Sequence, residues 1–133
     1  MTAPGRIGID MVPFTRVRAL LGGGLLAGRM LSADERRLLL DGDEPDVPGI
    51  AGRLAAKEAV FKLFHATGET VPWQGIEILR AESGAPWVRL SGRAAALARG
   101  AGIGSVSVSI THDEPCAVAV ALTAPDSEER SAP

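Results

Sequence analysis

The amino-acid sequence predicts an α+β domain with an antiparallel sheet. Three observations lead there. Residues 50–66 have the length and apolar content of one long helix. Ser105-Val106-Ser107-Val108-Ser109-Ile110 alternates with period two, as a half-buried strand does. Two further strand-like segments, 76–79 and 87–90, flank the turn Glu82-Ser83-Gly84-Ala85-Pro86 and read as a hairpin.

The remaining elements follow in order. Residues 1–5 read as a frayed end. Ile7-Gly8-Ile9-Asp10 reads as a short strand, with Ile7 and Ile9 on one face and Asp10 turned to the other near the strand end. Residues 14–21 form a short helix stopped by Gly22-Gly23-Gly24. Ser32 with Glu35 three residues later is a capping box, and it opens a second helix through Leu38, Leu39 and Leu40. Residues 41–49 form a polar loop. In the long helix, Leu54, Phe61, Leu63 and Phe64 supply apolar contact, Ala55, Ala56 and Ala59 allow close packing, and Gly68 lies past the end. Ser91 is placed to cap an Ala-rich helix ending at Gly100 or Gly102. Residues 111–115 form a tight connection, and 116–122 the last strand. The reading is one domain over 1–124 and a polar, disordered tail over 125–133.

Composition excludes several classes. The chain has 133 residues, enough for one hydrophobic core, with 46% hydrophobic and 23% charged residues, which argues against wholesale disorder. Aromatics are only 4%, so the core must come from Ala, Val, Leu and Ile, and self-association would help stabilise it. A net charge of −2 supplies no global field for nucleic acid or a membrane. Arginines nevertheless gather in the first half, compatible with a basic face for an acidic partner or with an ordinary solvated surface. The single cysteine, Cys116, lies in an apolar run and is expected to be a buried, inert thiol. No stretch is long enough to span a membrane, and no signal core is visible, so the cytoplasm is the expected compartment.

Few residues are placed to carry chemistry. Glu58 and Lys62 stand at i,i+4 on one helix face, which alone is a surface salt bridge. Arg53 and Lys57 add charge to the same apolar helix, and a phosphate-rich ligand would neutralise it. Asp10 is either a cap for the following helix or half of a magnesium site with Glu58, since magnesium takes one or two carboxylates and completes its shell with phosphates and water. His112 at a strand end is structural, or binds phosphate, acts as a base, or bonds Asp113. His65 suits a helix C-terminus and is given no role. There is no GxxxxGK[ST], HExxH, CxxC or GxSxG motif.

Four segments together resemble one family. Ile7-Gly8-Ile9-Asp10, the block from Gly52 through Arg53, Lys57 and Glu58 to Lys62, the turn Ser83-Gly84-Ala85-Pro86, and Val108-Ser109-Ile110-Thr111-His112 stand in the order and spacing of the holo-acyl-carrier-protein synthases, the small 4'-phosphopantetheinyl transferases. Arg29-Met30-Leu31-Ser32 with Glu35 also looks like that family's second helix start. The resemblance spans about residues 7–122. It implies an antiparallel sheet packed on a long central helix, assembled as a homotrimer with sites between subunits.

It further implies transfer of phosphopantetheine from coenzyme A to a serine of an apo acyl carrier protein, releasing adenosine 3',5'-bisphosphate. Asp10 and Glu58 would hold Mg2+ and Lys62 would contact the phosphates. Arg53 and His112 would lie near the 3'-phosphate or phosphate chain, with Ser109, Thr111 and the Gly84–Pro86 turn lining the coenzyme pocket. The serine proton would pass to Glu58, to a water on the metal, or to His112. Arg16 matches the family's contact to the acidic carrier, with Arg18, Arg29 and Arg36 as helpers. Two positions depart from the pattern: Ala85 stands where Lys is common, and Asp113 adds negative charge beside His112. They leave room for a runner-up, a pathway protein of the same fold that has lost transfer.

Overall fold

A computed structural model of the chain describes residues 5–123. The expected tail, 125–133, and residues 1–4 lie outside the described residues. Strand β1 (Ile7–Pro13) leads into helix α1 (Phe14–Gly23). A π-helical turn (Leu26–Met30) joins it to α2 (Ala33–Leu40), and the long helix α3 (Val47–Leu63) follows. A 3-10 turn (Trp73–Gly75) precedes β2 (Ile76–Arg80) and β3 (Pro86–Leu90), then α4 (Gly92–Gly100), β4 (Val106–Asp113) and β5 (Cys116–Thr123).

Two antiparallel sheets form where one was expected. β1-β5-β4 is three-stranded and β2-β3 is two-stranded. The α+β class and the central helix hold. α3 packs on β1 and β5 with Ala51, Ala55, Ala56 and Ala59 fully buried, and Ala117, Ala119 and Ala121 of β5 are buried too. Small side chains on both sides let helix and sheet approach closely, so a core poor in aromatics still fills its space.

Local signals explain most boundaries. The capping box forms as expected: Glu35 N–H donates to Ser32 Oγ at 3.2 Å, and Ser32 N–H donates to Glu35 Oε1 at 2.9 Å. α3 starts three residues earlier than expected because Asp46 caps it, accepting from Gly49 N–H at 3.0 Å, with Pro48 in the first turn. It ends at Leu63, with His65 (φ 49°) and then Gly68 (φ 84°) in the left-handed region beyond it. Ser91 precedes α4 but makes no side-chain cap bond. β1 runs on to Pro13, so Asp10 sits mid-strand rather than at the end. β4 runs on to Asp113, so residues 111–113 belong to the strand rather than to a connection.

The faces of the larger sheet matter most for function. Paired residues share a face. Gly8, Asp10 and Val12 pair with Ala121, Ala119 and Ala117, which pair with Val108, Ile110 and His112. That face meets α3. The opposite face carries Ile7, Ile9 and Met11, then Leu122, Val120 and Val118, then Ser107, Ser109 and Thr111. Ile7 and Ile9 are 69% and 58% exposed. Among the described residues, no helix is long and apolar enough to cross a membrane.

Candidate active site

The site begins at Gly8. A Cβ there would lie 2.2 Å from the Ala59 carbonyl oxygen, so the absence of a side chain lets β1 cross α3 at backbone contact. Two residues on, Asp10 comes to the same helix. Lys62 Nζ donates to the Ile9 carbonyl at 2.8 Å and stands 3.6 Å from Asp10 Oδ1. Glu58 lies one turn earlier on α3, and Arg16 of α1 donates to its Oε1 at 3.0 Å. The expected Glu58–Lys62 pair is therefore not the one formed: each partner is held by another element. The Asp10 and Glu58 side chains are 21% and 19% exposed, half-buried at the edge of the helix–sheet contact.

These four residues form two ion pairs, Lys62–Asp10 and Arg16–Glu58, whose α3 members stand one turn apart. Their chemistry suits a hard divalent cation. Two half-buried carboxylates offer oxygen donors, and each already carries a cationic group where a metal would place its charge. Among the described residues, no group of three or more His, Cys, Asp or Glu could hold a metal alone. A two-carboxylate site needs its remaining ligands from substrate oxygens and water.

A second group forms around Arg53. Its residue is 7% exposed, and its Nε has no hydrogen-bond partner. Burial and then the nearby Arg80 push its pKa below the ordinary arginine value. Glu35 and Asp46 pull the other way, yet the buried Nε itself is left without an acceptor. Arg80 ends β2 and pairs with Pro86, at the base of the turn whose Gly84 has φ 91°. Sequence reasoning passed over Arg80; its only signal was a basic residue opening the turn that carries part of the resemblance.

The other expected residues are placed as follows. His112 shares the α3 face with Asp10, and its ring packs edge-on to Phe14 at 6.5 Å. Ser109 and Thr111 lie on the opposite face, both exposed, so one subunit does not bring them to Asp10. Asp113 also alternates away from His112, so the expected extra negative charge beside that imidazole falls on the other face. Ala85 is exposed, its N–H held by Ser83 Oγ at 3.3 Å. Cys116 is free and half-buried rather than buried.

Two charged residues are otherwise engaged. Lys57 has no exposed surface and forms an ion pair with Glu35 at 2.6 Å, so the neutralising group is a carboxylate of the chain and not the ligand that the sequence suggested. Burial pushes the Lys57 pKa down, against the pull of Glu35. Arg36, expected as a carrier helper, donates to the Ala27 and Leu31 carbonyls.

A central helix under a three-stranded sheet, with an Asp on the strand and a Glu and Lys on the helix, defines an α+β class that similar proteins identify further. The family model of the 4'-phosphopantetheinyl transferase superfamily matches residues 6–120. Over 122 residues the chain is 38% identical to the holo-[acyl-carrier-protein] synthase of Chlorobaculum parvum, covering 90% of this chain and 97% of that protein. It is 38% identical over 116 residues to the synthase of Moorella thermoacetica, covering 86% and 90%. It is also 46% identical over 96 residues to the fatty acid synthase subunit alpha of Schizosaccharomyces pombe, covering 71% of this chain but spanning 5% of that protein's length. The solved Helicobacter pylori holo-[acyl-carrier-protein] synthase, in complex with coenzyme A, superposes with a TM-score of 0.74 at 30% identity, covering 90% of this chain and 100% of that one. The chain belongs to the 4'-phosphopantetheinyl transferase superfamily, among its holo-[acyl-carrier-protein] synthases.

Proposed function

We propose that this protein transfers the 4'-phosphopantetheine group of coenzyme A to a serine of an apo acyl carrier protein. The observation that carries the reading is the Lys62–Asp10 contact across the β1–α3 crossing, with Glu58 one turn back on α3, in a chain of this family. The serine oxygen attacks the β-phosphorus of coenzyme A. A new P–O bond forms, the bridging P–O bond breaks, and adenosine 3',5'-bisphosphate departs with the bridging oxygen.

Asp10 and Glu58 would hold Mg2+, which when bound offsets charge on the pyrophosphate. Lys62 is free to swing from Asp10 toward the phosphates, because its side chain is 55% exposed. There it stabilises charge on the leaving group. Arg53 and Arg80 form a cationic cradle for the 3'-phosphate, which supplies the anion that the orphaned Arg53 Nε lacks. The Gly84–Pro86 turn borders that cradle through the Arg80–Pro86 pairing. His112, exposed on the same face as Asp10, is available to the phosphate chain or to the serine proton. Arg16, with exposed Arg18 and Arg29, faces the acidic carrier.

The protein assembles as a homotrimer through the outer face of its larger sheet. Ile7, Ile9, Met11 and Leu122 form an apolar surface there that a lone subunit leaves in water. Ser109 and Thr111 share that face, so a neighbouring copy would receive them into its coenzyme site.

Intact-protein mass spectrometry of an apo carrier incubated with this protein, coenzyme A and Mg2+ tests the reading. The expected result is a gain of one phosphopantetheine group, abolished by chelator and by Glu58→Ala. No gain across several apo carriers, with coenzyme A still bound, would overturn it.

A further inference from the structure

The π-helical turn Leu26–Met30 joins α1 to α2, and such turns hold poorly on their own hydrogen bonds. Its carbonyls are taken by side chains from three other elements. Lys57 Nζ of α3 donates to Met30 O at 2.8 Å. Arg36 of α2 donates to Ala27 O and to Leu31 O. Gln74 Nε2, from the 3-10 turn, donates to Gly28 O and Leu31 O, each at 3.1 Å.

Lys57 is the buried centre of this arrangement. Its other two bonds go to Glu35 Oε1 at 2.6 Å and Trp73 O at 2.7 Å. Three donors meet three acceptors, so the ammonium has nothing left for a ligand. Glu35 is bonded at both oxygens, accepting also from Ser32 N–H and, at 2.9 Å, from Ile78 N–H. A buried ion pair seldom stabilises a fold more than apolar side chains of the same size, but it does impose one geometry. The geometry imposed here is the distance from α3 to the π turn. Glu58 is the next residue after Lys57, Arg29 sits on the π turn, and Arg16 lies on the helix leading into it.

We propose that Lys57 is a positioning residue for carrier use: with Glu35 it holds the π turn, and through it the arginine-bearing α1–α2 segment, at a set distance from Asp10, Glu58 and Lys62. This rests on reading the chain as a carrier-protein transferase.

The test compares wild type with Lys57→Met/Glu35→Gln, which removes both charges together, and with Gln74→Ala, an exposed tether whose loss leaves the core intact. Steady-state kinetics vary carrier and coenzyme A separately, and backbone hydrogen exchange is followed over residues 26–31. Because a small misplacement costs reactivity steeply, the double variant is expected to raise the carrier KM about 10-fold and Gln74→Ala about 2-fold. The coenzyme A KM should stay within about 2-fold, and exchange over 26–31 should quicken in both variants. A wild-type carrier KM in a folded double variant, or equal losses for both substrates, would overturn the proposal. If the double variant does not fold, Gln74→Ala decides by the same criteria. Were wild type to modify no carrier, the transferase reading itself would have failed, and unchanged exchange over 26–31 would still overturn the positioning role.

Discussion

The guanidinium of Arg16 lies 3.0 Å from Glu58 Oε1, so the arginine assigned to the carrier is bonded to the carboxylate assigned to the metal. In that arrangement Arg16 occupies one of the two oxygens of Glu58. On the proposed reading, a divalent cation at Glu58 would compete with Arg16, and the displaced arginine would be free for an acidic partner.

Arg16→Gln should therefore tighten divalent metal binding while weakening carrier use. The pair is partly exposed, so the gain is about 1.5- to 5-fold. Mn2+ titration followed by electron paramagnetic resonance reads the affinity without any turnover. Weaker Mn2+ binding in the variant would mean that Arg16 orients Glu58 instead of competing for it.

Gly8→Ala tests the contact that brings Asp10 to α3. The new Cβ would collide with the Ala59 carbonyl oxygen at 2.2 Å, and backbone cannot move aside as a flexible side chain can. Strand and helix must separate, at a cost of about 1–3 kcal/mol or more. A lower melting temperature and lost metal response are expected. Gly22→Ala, with open space around its added Cβ, is the control and should melt as wild type does.

Local features were legible in the sequence, and long-range ones were not. The Ser32–Glu35 capping box depends on two residues three apart, and it forms as read. The same Glu35 also holds Lys57, 22 positions away, which no local pattern announces. Alternation correctly put Asp10 opposite Ile7 and Ile9, but the isoleucines face outward. Period two separates faces without saying which is inner. Here the inner face carries Gly8 and the β5 alanines where α3 crosses closest, with Val12 buried beside them. Of the motif residues, Lys62 reaches Asp10, whereas Glu58 bonds Arg16, 42 positions away, a contact that had to be seen.

Acid should weaken the protein through a surface network on the smaller sheet. Arg89 donates to Glu77 at 2.9 and 3.0 Å and to Asp34 at 2.9 Å. Bonds from Arg89 and then Arg37 hold the Asp34 carboxyl below its ordinary 3.8. Burial pushes Glu77 up, but the Arg89 bond helps outweigh it and the carboxyl ends below 4.5. With both folded values depressed, the unfolded chain takes up protons first as pH falls. The network's contribution is thus complete above about pH 4.5 and is lost as pH drops through the folded values. Urea unfolding across this range should show Arg89→Met less stable than wild type at neutral pH, with a flatter decline in acid. An unchanged acid slope would remove the network from the account.

Ile9→Glu probes whether the site needs a second copy. Ile9 pairs with Val120, and Val120 with Ser109, so the three form one row across the outer face of the larger sheet. Ile9 is 58% exposed in the single chain, so the fold should tolerate a carboxylate there. A trimer would not, because three unpaired charges would be buried in its interface. Sedimentation equilibrium should find trimeric wild type and a folded, monomeric variant. Transfer should fall with assembly if Ser109 and Thr111, which lie across the sheet from Asp10, serve a neighbour's coenzyme site as proposed. A monomeric variant with full activity would mean instead that Asp10, Glu58, Lys62 and Arg53 of one chain suffice, and that the serine and threonine of β4 serve the interface alone.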